Sequence, residues 1–309
     1  QFAGTYDTTP PVFTLSSTVT APATENFLLD IHVSESVRFQ TSYLTVGNGS
    51  VSGLTGSGTD YQVTVRPTNG TEGVVTVDLA AGVAQDAAGN ANPAATQFSV
   101  AYDFARPDVD SVVRTTPASA VTNADSLVFT VTFTEPVTGV DAADFEIRDS
   151  DALVPTTGSV SAVNPVSATV YEVTVSGGDL ASIGGNYSTG DAATLTVRTL
   201  LSATIEDLAG LTLNSSTAQN AQEYYSIDNT RPGVTISGPA TASASFTATF
   251  TFDEDVTGFA LGDIVATGAT LANLAGSGAV YTADVTMTGS AVTLDVAANI
   301  ASDEAGNQN

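Results

Sequence analysis

The stretch Leu127-Val128-Phe129-Thr130-Val131-Thr132-Phe133-Thr134-Glu135-Pro136-Val137 puts Leu127, Phe129, Val131 and Phe133 in one phase of a two-residue period, then stops at an acid and a proline. Side chains alternate faces only in an extended strand, so this run reads as a β-strand with one buried face. Val, Thr and Phe also fit a pleated, half-buried surface. The same text occurs twice more, as Leu29-Asp30-Ile31-His32-Val33-Ser34-Glu35-Ser36-Val37 and as Phe250-Thr251-Phe252-Asp253-Glu254-Asp255-Val256.

Two further marks recur in step with it. About thirty residues earlier stands an Asp, a short spacer, a Pro and a β-branched residue: Asp7 with Pro11-Val12, Asp103 with Pro107-Asp108-Val109, Asp228 with Pro232-Gly233-Val234. Each unit then closes on a turn motif: Asp86-Ala87-Ala88-Gly89-Asn90, Asp207-Leu208-Ala209-Gly210-Leu211 and Asp303-Glu304-Ala305-Gly306-Asn307. Three marks in one order, three times, define a tandem repeat. Between them every segment is strand-like and punctuated by Gly, Asn or Pro, as in Tyr61-Gln62-Val63-Thr64-Val65 and Tyr171-Glu172-Val173-Thr174-Val175.

About seven short strands per ~100 residues is the density of a Greek-key sandwich of the immunoglobulin type. The expected architecture is all-β: three tandem Ig-like Greek-key β-sandwiches in an elongated array. The expected boundaries are 7–103, 104–228 and 229–309, with residues 1–6 as a separate N-terminal strand. The middle unit is longer, around Asp149–Asn164 and Gly177–Asp191, and such insertions carry surface individuality.

Composition narrows the function. The 309 residues hold 33 acids against 7 Lys plus Arg, all of them Arg, for a net charge of −26. A phosphate backbone is repelled by such a chain, so nucleic acid is excluded as a partner. Without Cys there are no disulfides and no thiolate sites, and with one His and no Trp little acid–base or sugar-platform chemistry remains. No apolar run approaches the ~20 residues of a membrane span. No Gly-x-Ser-x-Gly elbow, phosphate loop or EF-hand spacing occurs. The reading is a non-enzyme. His32 falls on the polar phase of its strand, and the acids Asp141, Asp144, Glu146, Asp149 and Asp151 read as a solvated face.

The acid-terminated strand, the Val-Thr-Gly turns (Val137-Thr138-Gly139 and Val256-Thr257-Gly258) and the Asp-x-Ala-Gly-Asn closer resemble the bacterial Ig-like repeats of large surface adhesins. The resemblance runs end to end, with Leu211 departing from the pattern where Asn90 and Asn307 stand. It implies an extracellular or cell-surface structural protein, of the kind found in fibres, surface layers and adhesin stalks.

Gln97-Phe98-Ser99-Val100-Ala101-Tyr102-Asp103 is the last strand of the first unit, and Gln1-Phe2-Ala3-Gly4-Thr5-Tyr6-Asp7 matches it at Gln, Phe, Tyr and Asp. Residues 1–6 therefore read as a final strand, with Gln1, Phe2 and Tyr6 as its assembly residues. The third unit, 229–309, reads as lacking that strand. Two expectations fit: copies joined head to tail by donor strands, or a window from a longer tandem array.

In such a sandwich the junction Asp, the strand-end acid and the closer Asp gather at one end. That groups Asp7, Glu35 and Asp86; Asp103, Glu135 and Asp207; and Asp228, Glu254 and Asp303. Three carboxylates repel unless a cation sits among them, and oxygen-only ligands select calcium. Asn90 and Asn307 would complete the shell. The competing reading is turn chemistry alone, with Asp capping its own backbone and Gly at positive φ. The competing function is a ligand-binding module recognising a surface glycan or protein through the insertions of the second unit.

Overall fold

The structure is a computed structural model that describes residues 4, 6–149, 152–153, 156–183, 185, 192–214, 222–242 and 244–309. The chain divides into two compact units, Gln1–Pro107 with Glu206–Leu213, and Asp108–Ile205 with Asn214–Asn309.

The first unit holds β1 (Phe13–Ser16), β2 (Phe27–Val33), β3 (Leu44–Gly47), β4 (Gly49–Ser57), β5 (Asp60–Pro67), β6 (Glu72–Leu79) and β7 (Phe98–Asp103). Their order is β1-β2-β5-β4 in one sheet and β3-β6-β7 in the other. In sequence letters this is ABED against CFG, the partition of a constant-type immunoglobulin sandwich. The alternation seen in the sequence decides the core. Leu29, Ile31 and Val33 of β2 and Val63 and Val65 of β5 are buried against Val75, Val77 and Leu79 of β6, none more than 1% exposed. At roughly 25 cal/mol per Å² of apolar surface removed from water, this layer dominates the stability of the unit. Gly56 turns the β4–β5 edge at φ 94°, where a Cβ would lie 2.2 Å from the Asp60 carbonyl, so no other residue fits.

The second unit carries two pairs of sheets. The first pair uses β8 (Val109–Thr116), β9 (Val121–Thr122), β10 (Ser126–Phe133), β12 (Phe145–Asp149), β13 (Ala152–Leu153), β14 (Ser159–Pro165), β15 (Val170–Ser176) and β16 (Ala193–Thr199), while β11 (Val137–Thr138) lies outside both sheets. β17 (Glu206–Asp207) belongs to the first unit, and β18 (Tyr225–Ile227) completes this pair. The orders are β14-β15-β10-β8 and β13-β12-β16-β18-β9. The second pair uses β19 (Val234–Ser237), β20 (Ser245–Val256), β21 (Ile264–Thr267), β22 (Ala269–Met287) and β23 (Thr293–Val296), ordered β19-β20-β22 and β21-β23. Phe250, Phe252, Phe259 and Tyr281 form its aromatic centre, with ring centroids 5.0–6.1 Å apart.

Helix is confined, among the described residues, to single turns such as Thr41–Tyr43, Ala142–Asp144 and Leu261–Asp263, and no helix is long and apolar enough to cross a membrane. One sequence expectation is corrected. Asp144 is not part of a solvated face: it is 2% exposed and accepts from the Asp141 and Thr204 amides. A short acid at the third position of a turn satisfies orphan N–H groups better than water does there. Glu146 pairs with Arg148 at 2.7 Å. Asp151, the side chain of Asp149 and parts of both insertions lie outside the described residues, as do Gln1 and Phe2 of the N-terminal strand; Tyr6 is 93% exposed.

Candidate cation sites in the acid-rich turns

In the first unit, one carboxylate oxygen each of Asp7, Glu35 and Asp86 lie within 4.8 Å of one another. Glu35 follows β2, Asp86 opens the closing turn after β6, and Asp7 begins the chain entering β1. Each acid also serves its own turn. Asp7 Oδ1 accepts from the Thr9 amide at 2.9 Å, and Asp86 Oδ1 accepts from the Ala88 and Asn90 amides at 2.8 Å. Asn90 Nδ2 then bridges, donating to Asp86 Oδ2 at 2.7 Å and to the Asp7 main-chain oxygen at 3.2 Å. The electrostatics follow. The Asn90 amide and the turn N–H groups hold the Asp86 carboxyl below its ordinary range, whereas burial, then Asp86 and Asp7, push Glu35 up.

In the second unit the same design is buried. Asp228, Glu254 and Asp303 bring carboxylate oxygens within 4.8 Å of one another while being 1%, 3% and 7% exposed. Asp303 Oδ1 accepts from the Gly306 and Asn307 amides at 2.7 and 2.8 Å, and Asp228 Oδ1 from the Thr230 amide at 2.8 Å. Asn307 Nδ2 donates to Asp303 Oδ2 and to the Asp228 main-chain oxygen, both at 2.8 Å. Its Oδ1 accepts from Asn123 Nδ2 at 2.9 Å. Asn90 and Asn307 thus act as clamps, their N–H groups turned to the acids.

The middle set divides between the units: Asp103 and Asp207 belong to the first, Glu135 to the second. Within the first unit, burial and then Asp207 and Glu72 push the Asp103 carboxyl up, against the Ala105 amide. Asp207, 4% exposed, accepts from the Ala209 and Leu211 amides through Oδ1 only. Its Oδ2 is buried without a hydrogen-bond partner among the described residues. Leu211 is the cause, because the clamp amide of Asn90 and Asn307 is missing there.

Two supporting sets escape the sequence reading. Tyr61, Tyr171 and Tyr281 each donate a buried hydrogen bond to the carbonyl two residues past the strand-end acid: Val37 at 2.6 Å, Val137 at 3.0 Å and Val256 at 3.1 Å. The signal was a Tyr four residues before a Val in every repeat: Tyr61 and Val65, Tyr171 and Val175, Tyr281 and Val285. Asn92 and Asn309 form the other set. Asn92 binds the Ala84 amide and the Ala80 carbonyl; Asn309 binds the Ala301 amide and the Ala297 carbonyl, all at 2.9–3.0 Å. The closing motif is therefore longer than it reads, Asp-x-x-Gly-Asn-x-Asn.

The family model of the bacterial Ig-like domain matches residues 7–102 and 228–309, more than half of the chain. No curated protein sequence matches it. Among solved structures, the adhesin FdeC of Escherichia coli is 16% identical with a TM-score of 0.36, covering 100% of this chain and 98% of that one. InvD of Yersinia pseudotuberculosis is 13% identical with a TM-score of 0.32, covering 96% and 89%. Invasin, a bacterial integrin-binding protein, is 14% identical with a TM-score of 0.31, covering 91% and 56%. The chain belongs to the bacterial Ig-like domain family.

Proposed function

We propose that the chain is a non-enzymatic structural element of an extracellular or cell-surface assembly. Its Ig-like repeats follow one another head to tail, and calcium held in the acid-rich turns stiffens the points where one repeat enters the next. The observation that carries this reading is the buried trio Asp228, Glu254 and Asp303. Three carboxylates at that separation in a desolvated site repel strongly, and a divalent cation converts the repulsion into attraction. The donor set is oxygen only, which suits calcium rather than a transition metal. The two trios that lie within one unit, Asp7–Glu35–Asp86 and Asp228–Glu254–Asp303, each join a junction Asp to a strand-end acid and a closing turn, so an ion there would fix the angle at which the chain enters a sandwich. Asp7, Glu35 and Asp86 would form a more open version, and the bare Oδ2 of Asp207 gives the Asp103–Asp207 pair a need for the same ion.

The test is calorimetry and small-angle scattering with calcium and with a chelator. Calcium should raise the melting temperature, magnesium should do so less, and chelation should broaden the distribution of particle dimensions. Unchanged melting and scattering after exhaustive chelation would refute the calcium reading.

A further inference from the structure

The apolar residues that β6 buries completely have counterparts on β23 and at the position just before it that are only half covered. The register makes the correspondence explicit: β3 pairs Leu44 with Leu79 and Val46 with Val77, and β21 pairs Ile264 with Val296 and Ala266 with Leu294. Val75, Val77 and Leu79 are at most 1% exposed, while Val292, Leu294 and Val296 are half-buried. In the first unit the cover is β7, antiparallel to β6, with Val77 opposite Phe98 and Val75 opposite Val100. Phe98 also packs on Phe27, ring centroids 6.0 Å apart. Counting back from the strand-end acids Glu35 and Glu254, the counterpart of Phe27 is Phe246, which is half-buried and, among the described residues, makes no ring contact. Instead an open groove runs past Ile236, Phe246, Ala248, Val292 and Leu294. Among the described residues, β23 pairs with β21 alone.

We propose that this edge of β23 is a strand-acceptor site, and that its occupant is the segment Gln1–Asp7 of a second copy of the chain. The proposal rests on the head-to-tail reading above and names the contact that makes it. The argument for the occupant is the first unit's own solution. β7 and its preceding Gln97 read Gln-Phe-x-x-x-Tyr-Asp, and Gln1–Asp7 repeats that pattern. In the first unit Gln97 Nε2 binds both carboxylate oxygens of Asp78, at 2.9 and 2.8 Å. The residue of β23 that corresponds to Asp78 is Asp295, opposite Val265 as Asp78 is opposite Thr45. A docked segment in the same register puts Phe2 opposite Leu294 and over Phe246, and puts Gln1 beside Asp295. Extended backbone added to an unpaired edge supplies the ladder hydrogen bonds, and alternate side chains supply the fit.

The experiment is hydrogen exchange on the dilute 309-residue chain with a synthetic peptide of sequence Gln1–Asp7, a Phe2→Ala version and a reversed-sequence control. With most sites filled, those amides of Val292–Val296 that face away from β21 should exchange about tenfold more slowly or better, because a bonded amide exchanges only while the site is empty. The Phe2→Ala peptide should lose most of that protection. Protection absent from β23, or equal for all three peptides, overturns the acceptor site. Either result leaves the response of melting and scattering to calcium as it was, so failure here is distinct from failure of the calcium reading.

Discussion

The Asn307 side chain donates a 2.8 Å hydrogen bond to the main-chain oxygen of Asp228, 79 positions earlier in the chain. One amide therefore ties a closing turn to the junction that precedes the whole repeat. The same amide satisfies Asp303, and its oxygen holds Asn123. Asn307→Ala removes all three bonds from a position 8% exposed. The expected loss is about 1–3 kcal/mol, the range for stranding buried partners of a deleted hydrogen-bonding group. Asn90→Ala should cost less, since Asn90 is more exposed and its bond to Asp7 is longer, at 3.2 Å. Differential scanning calorimetry of the two variants measures the order; an equal effect would contradict it.

The reverse substitution is available where the clamp is missing. Leu211→Asn offers an N–H donor to the bare Asp207 Oδ2, as Asn90 does for Asp86. In chelator, a gain of about 0.5–1.5 kcal/mol is expected from the new hydrogen bond. A variant no more stable than the parent would mean that Oδ2 is served by something other than an amide.

Tyr281 Oη reaches the Val256 carbonyl at 3.1 Å inside the sandwich. Tyr281→Phe keeps the ring packing against Phe252 and Phe259 and removes only the donor. The expected cost is about 1–2 kcal/mol, because the carbonyl stays buried. The turn that carries Glu254 should also loosen, which faster amide exchange at Asp255–Thr257 would reveal.

The strand runs were legible because their period of two is a property of the extended backbone, and Leu29, Ile31 and Val33 are buried as the alternation requires. Grouping the acids was legible for a topological reason: strands B and F bring their ends to one side of a sandwich, whatever the loops between them. What the sequence did not show is direction at the level of atoms. Nothing in the letters Asn90 or Asn307 says that the N–H face, rather than the oxygen, turns to the acids. Asp144 was misread because an acid in a cluster of acids looks solvated, while the single turn Ala142–Asp144 pulls it inward to cap amides. The tyrosine bonds join residues 24, 34 and 25 positions apart, beyond the reach of any local pattern.

Asp60 provides a pH test away from the acidic clusters. The Thr59 hydroxyl, then His32 with Nδ1 at 2.8 Å, hold its carboxyl below the ordinary value of 3.8. A depressed folded-state value means that the ionised form stabilises the fold above the unfolded value, and that this contribution is lost as pH falls through the folded one. Carboxyl NMR titration should give an Asp60 midpoint below 3.8. Thr59→Val should move it upward by more than His32→Ala does, the hydroxyl bond being the larger cause. A midpoint unmoved by Thr59→Val would remove the hydroxyl as the cause.

The net charge sets the last expectation. With 33 acids against 7 arginines, repulsion summed over the surface opposes the compact state even before any buried cluster is counted. Raising ionic strength from about 0.01 M to about 0.15 M shortens the screening length from about 30 Å to about 8 Å. In chelator, melting temperature should therefore climb with monovalent salt. Tetramethylammonium chloride separates the two sources of the gain, because that cation screens as sodium does but is too large to sit among carboxylates within 4.8 Å of one another. Equal climbs in both salts would mean that long-range repulsion is being screened. A climb with sodium alone would place the relief inside the acid-rich turns. Melting that falls in both salts would show that attractive pairs outweigh the surplus of acids, and would overturn this account of the surface.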